Sequence, residues 1–149
     1  MSAPFAEQFA AEPQALRALR RRVRTALRGW RLPSHDVETV LLVLDELVSN
    51  AIEHGAVYRK LGKPLHVGMQ LDGEDLALEF VDDDMPQAEI QAMAKAFDTG
   101  DIELPDFEDE RGRGLFLVLT SMQAIEVEDR TEKAGGMRLR GRFLGVARP

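Results

Sequence analysis

Residues 41–55, LLVLDELVSNAIEHG, decide the fold. Their aliphatic side chains recur at steps of three and four residues, which predicts a helix with one face in the core. Glu46 and Asn50 are four residues apart and so lie one above the other, and Glu53 and His54 extend this stripe by a turn. A carboxylate and an amide beside so much aliphatic surface need partners. The stripe is either the solvated side of an amphipathic helix or part of a functional site.

The composition is that of one globular domain, which we expect to span residues 1–149. The formal net charge of −7 argues against direct binding of nucleic acid. The chain has no cysteine, which excludes disulfides and thiolate metal sites. No apolar run approaches the roughly 20 residues that span a bilayer, and the N-terminus lacks the pattern of a signal peptide. These features predict a cytoplasmic protein without membrane contact.

Before the central helix, the sequence predicts a short edge strand and an amphipathic helix. Phe5 and Phe9 mark the strand, within residues 4–10. The helix covers residues 13–28, with apolar side chains on one face and arginines on the other: Arg17, Arg20, Arg21, Arg22, Arg24 and Arg28. In an acidic protein these arginines are interpreted first as a solvated face, although an acidic protein partner or nucleic acid would also suit them. Ser34 is well placed to cap the central helix, which we expect to continue to about residue 57.

After the central helix, two runs of alternating apolar residues predict a β-hairpin over residues 65–71 and 76–81. The hairpin leads directly into Asp82, Asp83 and Asp84. Three acids at a strand end could form a solvated turn, supply oxygens to a hard cation, or place one aspartate against a ligand. A helix of modest amphipathic character is expected next, over residues 86–97.

The last third of the chain begins with residues 98–110, which are acidic and lack periodicity. We expect a loop there, either a lid or binding segment or a disordered stretch. In residues 111–117, RGRGLFL, glycines stand directly ahead of an apolar helical run and leave backbone N–H groups free for an anion. Residues 124–127 and 137–143 predict a closing pair of strands. The expected architecture is an α+β two-layer sandwich, with a mixed, mostly antiparallel sheet and helices on one face.

Three of these segments, in this order, resemble the motifs of the GHKL ATPase superfamily, and specifically of the stand-alone anti-sigma-factor serine/threonine kinases of bacterial partner-switching systems. Residues 46–51 (ELVSNA) are similar to the N box. Residues 82–86 (DDDMP) are similar to the first glycine box, and residues 112–117 (GRGLFL) to the second. The resemblance implies a Bergerat-type fold, like that of histidine-kinase ATPase domains.

The resemblance implies a role for each motif residue. Glu46 would be the general base, or would orient the attacking hydroxyl, and Asn50 would be the Mg²⁺ ligand. Asp82 would accept a hydrogen bond from the adenine amino group. The glycine-rich turn would present backbone amides and an arginine side chain to the phosphates. Beyond Asn50 and Asp82, the implied nucleotide-binding residues are Asp84, Gly112, Arg113, Gly114 and Leu115.

The implied function is that of an ATP-dependent serine/threonine kinase and anti-sigma factor, with ATP and Mg²⁺ as cofactors. Such a protein phosphorylates a STAS-domain anti-anti-sigma partner, sequesters a sigma factor and forms a homodimer. The chain departs from the family pattern at Asp84, where the first box has glycine, at Arg111, where glycine usually precedes the second box, and at Met137, where threonine is frequent. The alternative interpretation is a binding-only partner-switch protein on the same fold, with weakened or lost ATP binding.

Overall fold

A computed structural model describes residues 3–59, 62–99, 110–133 and 135–147, with the backbone alone at 99 and 110–113. The chain alternates short groups of strands and helices. In chain order these are β1 (Phe5–Phe9), α1 (Pro13–Gly29), α2 (Ser34–Glu53), a 3-10 turn (Gly55–Val57), β2 (Leu65–Asp72), β3 (Asp75–Asp82), α3 (Gln87–Thr99), α4 (Glu110–Ser121), β4 (Gln123–Asp129) and β5 (Met137–Phe143).

The five strands form one sheet in the order β1-β2-β3-β5-β4, and every neighbouring pair is antiparallel. Buried and accessible residues alternate along β2, as expected for a sheet with one face in the core. Leu65, Val67 and Met69 face the helices, whereas His66 and Gly68 lie on the other side. The predicted α+β sandwich with helices on one face is therefore confirmed, and the described sheet is antiparallel throughout rather than mixed.

Helix α2 lies in the centre of the helical layer, between α1 and α4. Its buried face consists of Val37, Val40, Leu41, Val43, Leu44, Leu47, Val48 and Ala51. Opposite it, α1 contributes Leu19, Val23 and Leu27, none of which is accessible to solvent. Each aliphatic side chain buried in this way stabilises the fold by about 1.5–3 kcal/mol. In the part of the chain that is described, no helix combines the length and apolar character needed to cross a bilayer.

Three of the six arginines of α1 bind carboxylates within the chain. The Nε atom of Arg22 lies 2.6 Å from Oε1 of Glu7 in β1. Arg20 and Arg24 pair with Asp45 and Glu38, both in α2. Burial raises the pKa of the Asp45 carboxyl, although the charge of Arg20 acts in the opposite direction. Half of the arginine face therefore forms ion pairs that hold α1 against β1 and α2.

The remaining three arginines of this face, Arg17, Arg21 and Arg28, are exposed. Their positive charge is available at the surface of an otherwise acidic protein. The alternative prediction, a docking face for an acidic partner, therefore concerns these three arginines and stays a prediction.

The bounds of α3 and α4 differ from the sequence prediction. Helix α3 continues to Thr99 and α4 begins at Glu110, so both ends of the predicted 98–110 loop are helical. Residues 100–109 lie outside the described residues, and the lid predicted there stays a prediction. The expectation that the glycines precede the helix is wrong, because Gly112 and Gly114 lie inside α4. Packing of α4 against α2 offsets the roughly 1 kcal/mol that each glycine costs a helix.

The turn that joins β4 to β5 allows a matched test of backbone packing. Gly135 and Gly136 both have positive φ angles, +87° and +75°. A methyl group on Gly136 would overlap the backbone of Asp82 and Asp83, whereas one on Gly135 would lie 3.6 Å from the Asp83 carbonyl oxygen.

We expect Gly135→Ala to lower the free energy of unfolding by about 1–2 kcal/mol, through backbone strain alone. Gly136→Ala should lower the free energy of unfolding at least roughly twice as much, because the methyl group also overlaps backbone atoms. Urea unfolding measures both values, and equal losses of stability in the two variants would contradict this packing.

Candidate functional site

The carboxylate of Asp82, at the end of β3, is fully buried and holds a partner on each oxygen. Nη1 of Arg59 donates to Oδ1 and Nη2 donates to Oδ2, both at 2.8 Å. The Tyr58 hydroxyl donates to Oδ2 at 2.9 Å, and the backbone N–H of Asp84 donates to Oδ1 at 3.1 Å. Two parallel N–H bonds from one guanidinium form the strongest type of carboxylate pair. Asp82 is therefore the centre of a buried polar cluster.

Arg59 is fixed from several sides. Its Nη2 also donates to the backbone carbonyl of Ala51 near the end of α2, at 3.0 Å, and its Nη1 lies 3.5 Å from Oδ2 of Asp84. The guanidinium carbon lies 5.4 Å from the centre of the Tyr58 ring, within the range of a cation–π contact. Only 9% of the Arg59 side chain is exposed. The hydrogen bonds to Asp82 raise the pKa of Arg59, and burial opposes this.

Gly55 provides the space that the guanidinium needs. A methyl group at this position would lie 2.5 Å from Nη2 of Arg59 and 3.3 Å from Cζ. The turn that begins at Gly55 accepts hydrogen bonds from the backbone N–H groups of Tyr58 and Arg59 on the Gly55 carbonyl, at 3.1 and 2.8 Å. The turn after α2 thus presents both side chains to Asp82.

The Tyr58 hydroxyl stays protonated over the whole physiological pH range. Burial raises the pKa of Tyr58, and the charge and hydrogen bond of Asp82 raise it further. Because an ordinary tyrosine already has a pKa near 10, the neutral hydroxyl remains a donor to Asp82 at pH 7.

The other two acids of the predicted first glycine box turn to different partners. Asp84 accepts the backbone N–H of Lys63 at 2.9 Å, in addition to the contact with Arg59. Asp83 lies 3.3 Å from Nε2 of His66 on the neighbouring strand. Within the described ranges, no group of three or more His, Asp or Glu side chains is arranged to hold a metal ion. The three alternatives for these acids did not include what the structure shows for Asp82, which is aimed into the protein and held by Tyr58 and Arg59.

The second cluster forms where α4 crosses α2. A methyl group on Gly114 would overlap the carboxylate of Glu46 and lie 3.6 Å from Nδ2 of Asn50, so the α4 backbone rests directly on this pair. Nδ2 of Asn50 is buried and has no hydrogen-bond partner in the described part of the chain. Leu115 is in the core. Nearly all buried polar groups are satisfied in folded proteins, so this N–H donor is an unsatisfied group of the second cluster.

A small cavity separates the two clusters. It is lined by Leu47, Asn50, Ala51, His54, Tyr58, Phe80, Met85 and Met93. Its volume is about 10 Å³, which is at most the space of one water molecule, whereas ligand sites for small molecules occupy several hundred Å³. The cavity between Tyr58 and Asn50 is therefore too small for a purine base in this arrangement of the side chains.

The sequence analysis missed Tyr58 and Arg59, although both lie in the site. The structure brings Glu46 and Asn50 together with Gly114, and it joins Asp82 and Asp84 through Arg59. The predicted site residues Gly112 and Arg113 are described by their backbone alone, within α4. No local pattern identifies the partner of Asp82, because Arg59 precedes it by 23 residues.

Comparison with known proteins places these features in a family. The model of the histidine kinase-like ATPase domain matches residues 9–142. Among solved structures, the RsbU and RsbW domains of Rv1364c from Mycobacterium tuberculosis have a TM-score of 0.68 and 18% identity, over 99% of this chain and 34% of that chain. The SiaB–SiaC complex from Pseudomonas aeruginosa has a TM-score of 0.66 and 12% identity, over 94% of this chain and 88% of that chain.

These structural similarities establish the fold alone, because the identities are low. The chain spans about a third of the first of the two, and no curated protein matches it. The family match is broader, since it covers all three predicted motifs, from the N box to the second glycine box. The chain belongs to the family of histidine kinase-like ATPase domains.

Proposed function

We propose that this protein is an ATP-dependent serine/threonine kinase of a partner-switching system that also acts as an anti-sigma factor. The observation that supports it best is the contact of the α4 backbone at Gly114 with Glu46 and Asn50. The buried amide nitrogen of Asn50 has no hydrogen-bond partner among the described residues. The family is one of ATPase domains, and the proposal assigns its nucleotide chemistry to this acid, amide and glycine.

Each residue of the site has a defined task in this proposal. Bound ATP with Mg²⁺ would supply the phosphoryl group and neutralise its charge. Glu46, one helical turn from Asn50, accepts the proton of the attacking hydroxyl or orients that hydroxyl. The amide oxygen of Asn50 is a suitable ligand for a hard cation. Gly114 allows the α4 backbone to approach, and Asp82 accepts a hydrogen bond from the purine amino group once Arg59 has left it.

The partners in this proposal are a STAS-domain anti-anti-sigma protein, which carries the acceptor serine or threonine, and a sigma factor. The similar SiaB fold is known in a complex with SiaC, which supports a chain of this fold assembling with another protein. Exposed Arg17, Arg21 and Arg28 offer positive charge to an acidic partner. A homodimer, and a single domain over residues 1–149 that acts in the cytoplasm, belong to the same proposal.

A second candidate function has a specific observation in its favour. Both oxygens of Asp82 are bound to Arg59 and Tyr58, and the cavity beside them holds about 10 Å³. A binding-only partner-switch protein would need no nucleotide and would keep this cluster as a permanent structural feature. Nucleotide binding distinguishes the two functions.

Thermal denaturation with increasing Mg-ATP or Mg-ADP tests the nucleotide. A ligand at 100 times its dissociation constant stabilises the native state by about 2.7 kcal/mol, so we expect the melting temperature to rise by several degrees. Asn50→Ala should lose most of this rise and its dependence on Mg²⁺. Gln70→Ala removes an exposed amide on the other face of the sheet and should respond as the unaltered protein does. No rise at millimolar nucleotide would favour the binding-only function.

Phosphoryl transfer to a STAS-domain protein from the same genome, followed with labelled ATP, tests the role of Glu46. We expect Glu46→Gln to keep the nucleotide-dependent rise in melting temperature but to lose about 100-fold or more in transfer rate, because the shape is kept and the base is removed. Glu53→Gln, an exposed change on the same helix, is the matched control. Unchanged transfer in Glu46→Gln would exclude Glu46 as the base.

A further inference from the structure

We propose that Tyr58 and Arg59 form an internal latch that competes with the purine for Asp82. In the closed latch their side chains occupy the carboxylate, and a nucleotide binds only after they have moved away. This inference rests on the proposed function, since it concerns the same site. It assigns to these two residues, which none of the three motifs contains, control over access to that site.

The competition follows from the number of bonds that Asp82 already accepts. Two come from the guanidinium of Arg59, one from the Tyr58 hydroxyl and one from the backbone N–H of Asp84. A carboxylate has about four acceptor positions, so this one is saturated. It is also completely buried. A purine amino group can therefore donate to Asp82 only in place of Arg59 or Tyr58.

Besides filling the acceptor positions of Asp82, the latch also takes up space that a purine base would need. Tyr58 lines the cavity of about 10 Å³, together with Asn50 of the second cluster. This volume is far below that of a purine base, so Tyr58 has to move for the base to enter there. Closure thus blocks the base end while Glu46, Asn50 and Gly114 at the other end stay in contact.

The segment that carries the latch is suited to movement. It follows the C-terminal end of α2 and begins with one 3-10 turn, in which Val57 is 85% exposed. Tyr58 and Arg59 come directly after this turn. Arg59 is held by polar contacts with Asp82, with Asp84 and with the Ala51 carbonyl, and polar contacts can be exchanged for others when a ligand arrives. When the binding-competent state is a small fraction of the population, apparent affinity falls by that fraction. A closed latch therefore weakens nucleotide binding.

The dissociation constant of Mg-ADP, measured by calorimetry, tests the competition. We expect Arg59→Ala to bind roughly tenfold more tightly than the unaltered protein, since the competitor is removed. If the Arg59–Asp82 ion pair were purely structural, Arg59→Ala would bind Mg-ADP more weakly than the unaltered protein. Arg140→Ala, an exposed arginine on the far face of the sheet, is the control and should bind as the unaltered protein does.

A second variant, Gly55→Ala, tests the latch even if Arg59→Ala does not fold. It leaves Asp82 and Arg59 unaltered, and the added methyl group displaces the guanidinium from its place. The 3-10 turn that begins at Gly55 has backbone angles that alanine adopts. We expect tighter binding of Mg-ADP here also, again by roughly tenfold. Unchanged or weaker binding in both variants, with clear binding by the unaltered protein, overturns the latch and leaves the proposed function intact. No binding by any of the proteins overturns both.

Tyr58 is the only tyrosine of the chain, so its near-ultraviolet absorbance reports the latch directly. In the closed latch its hydroxyl donates to Oδ2 of Asp82 at 2.9 Å. We expect saturating Mg-ADP at neutral pH to produce a tyrosine difference spectrum, because the phenol loses this hydrogen bond. A tyrosine spectrum that stays unchanged with bound nucleotide would overturn the latch.

Discussion

The buried pair of Asp82 and Arg59 is the constraint on which the arrangement of this site depends. Asp82 is completely inaccessible, and a carboxylate in such a place requires a charged partner with matching hydrogen bonds. Arg59 meets this requirement, and through the Ala51 carbonyl it also joins the end of β3 to the end of α2. Removing one member of a buried pair typically costs about 3–5 kcal/mol, because the other is left uncompensated. This pair is thus a buried charged contact between the sheet and the helical layer.

Helix α2 links this point to the opposite end of the site. Its middle carries Glu46 and Asn50 against Gly114 of α4, and its last turn supplies the carbonyl that holds Arg59. Eight of its side chains are buried in the core, so the helix is a rigid support for both clusters. Helix α2 therefore contacts both clusters, through Glu46 and Asn50 at one and through the Ala51 carbonyl at the other. In the proposed latch, the turn after α2 is the part that moves.

The sequence was sufficient for the elements whose pattern is local. The periodicity of α2 and the alternation of β2 and β3 predicted their positions to within a few residues, and Asp82 was correctly expected at a strand end. The start of α4 was not predictable, because glycine disfavours helices locally and only the close approach to Glu46 explains Gly114 in one. The pairing of Asp82 with Arg59 depends on tertiary structure alone, since any of the 19 basic residues could have met that carboxylate.

The structure gives Asp84, where the family pattern has glycine, a specific role inside the protein. From the sequence, a third carboxylate in the first glycine box only adds repulsion toward a polyphosphate. In the fold its side chain turns toward the protein, where it accepts the Lys63 N–H and approaches Nη1 of Arg59. It is 4% exposed, so its charge acts mainly on the guanidinium beside it. A glycine there would leave Arg59 with Asp82 as its only acidic partner in this cluster. In the proposed latch, Asp84 and the closure of the site are accordingly one feature, because Asp84 adds a second carboxylate beside the arginine that occupies Asp82.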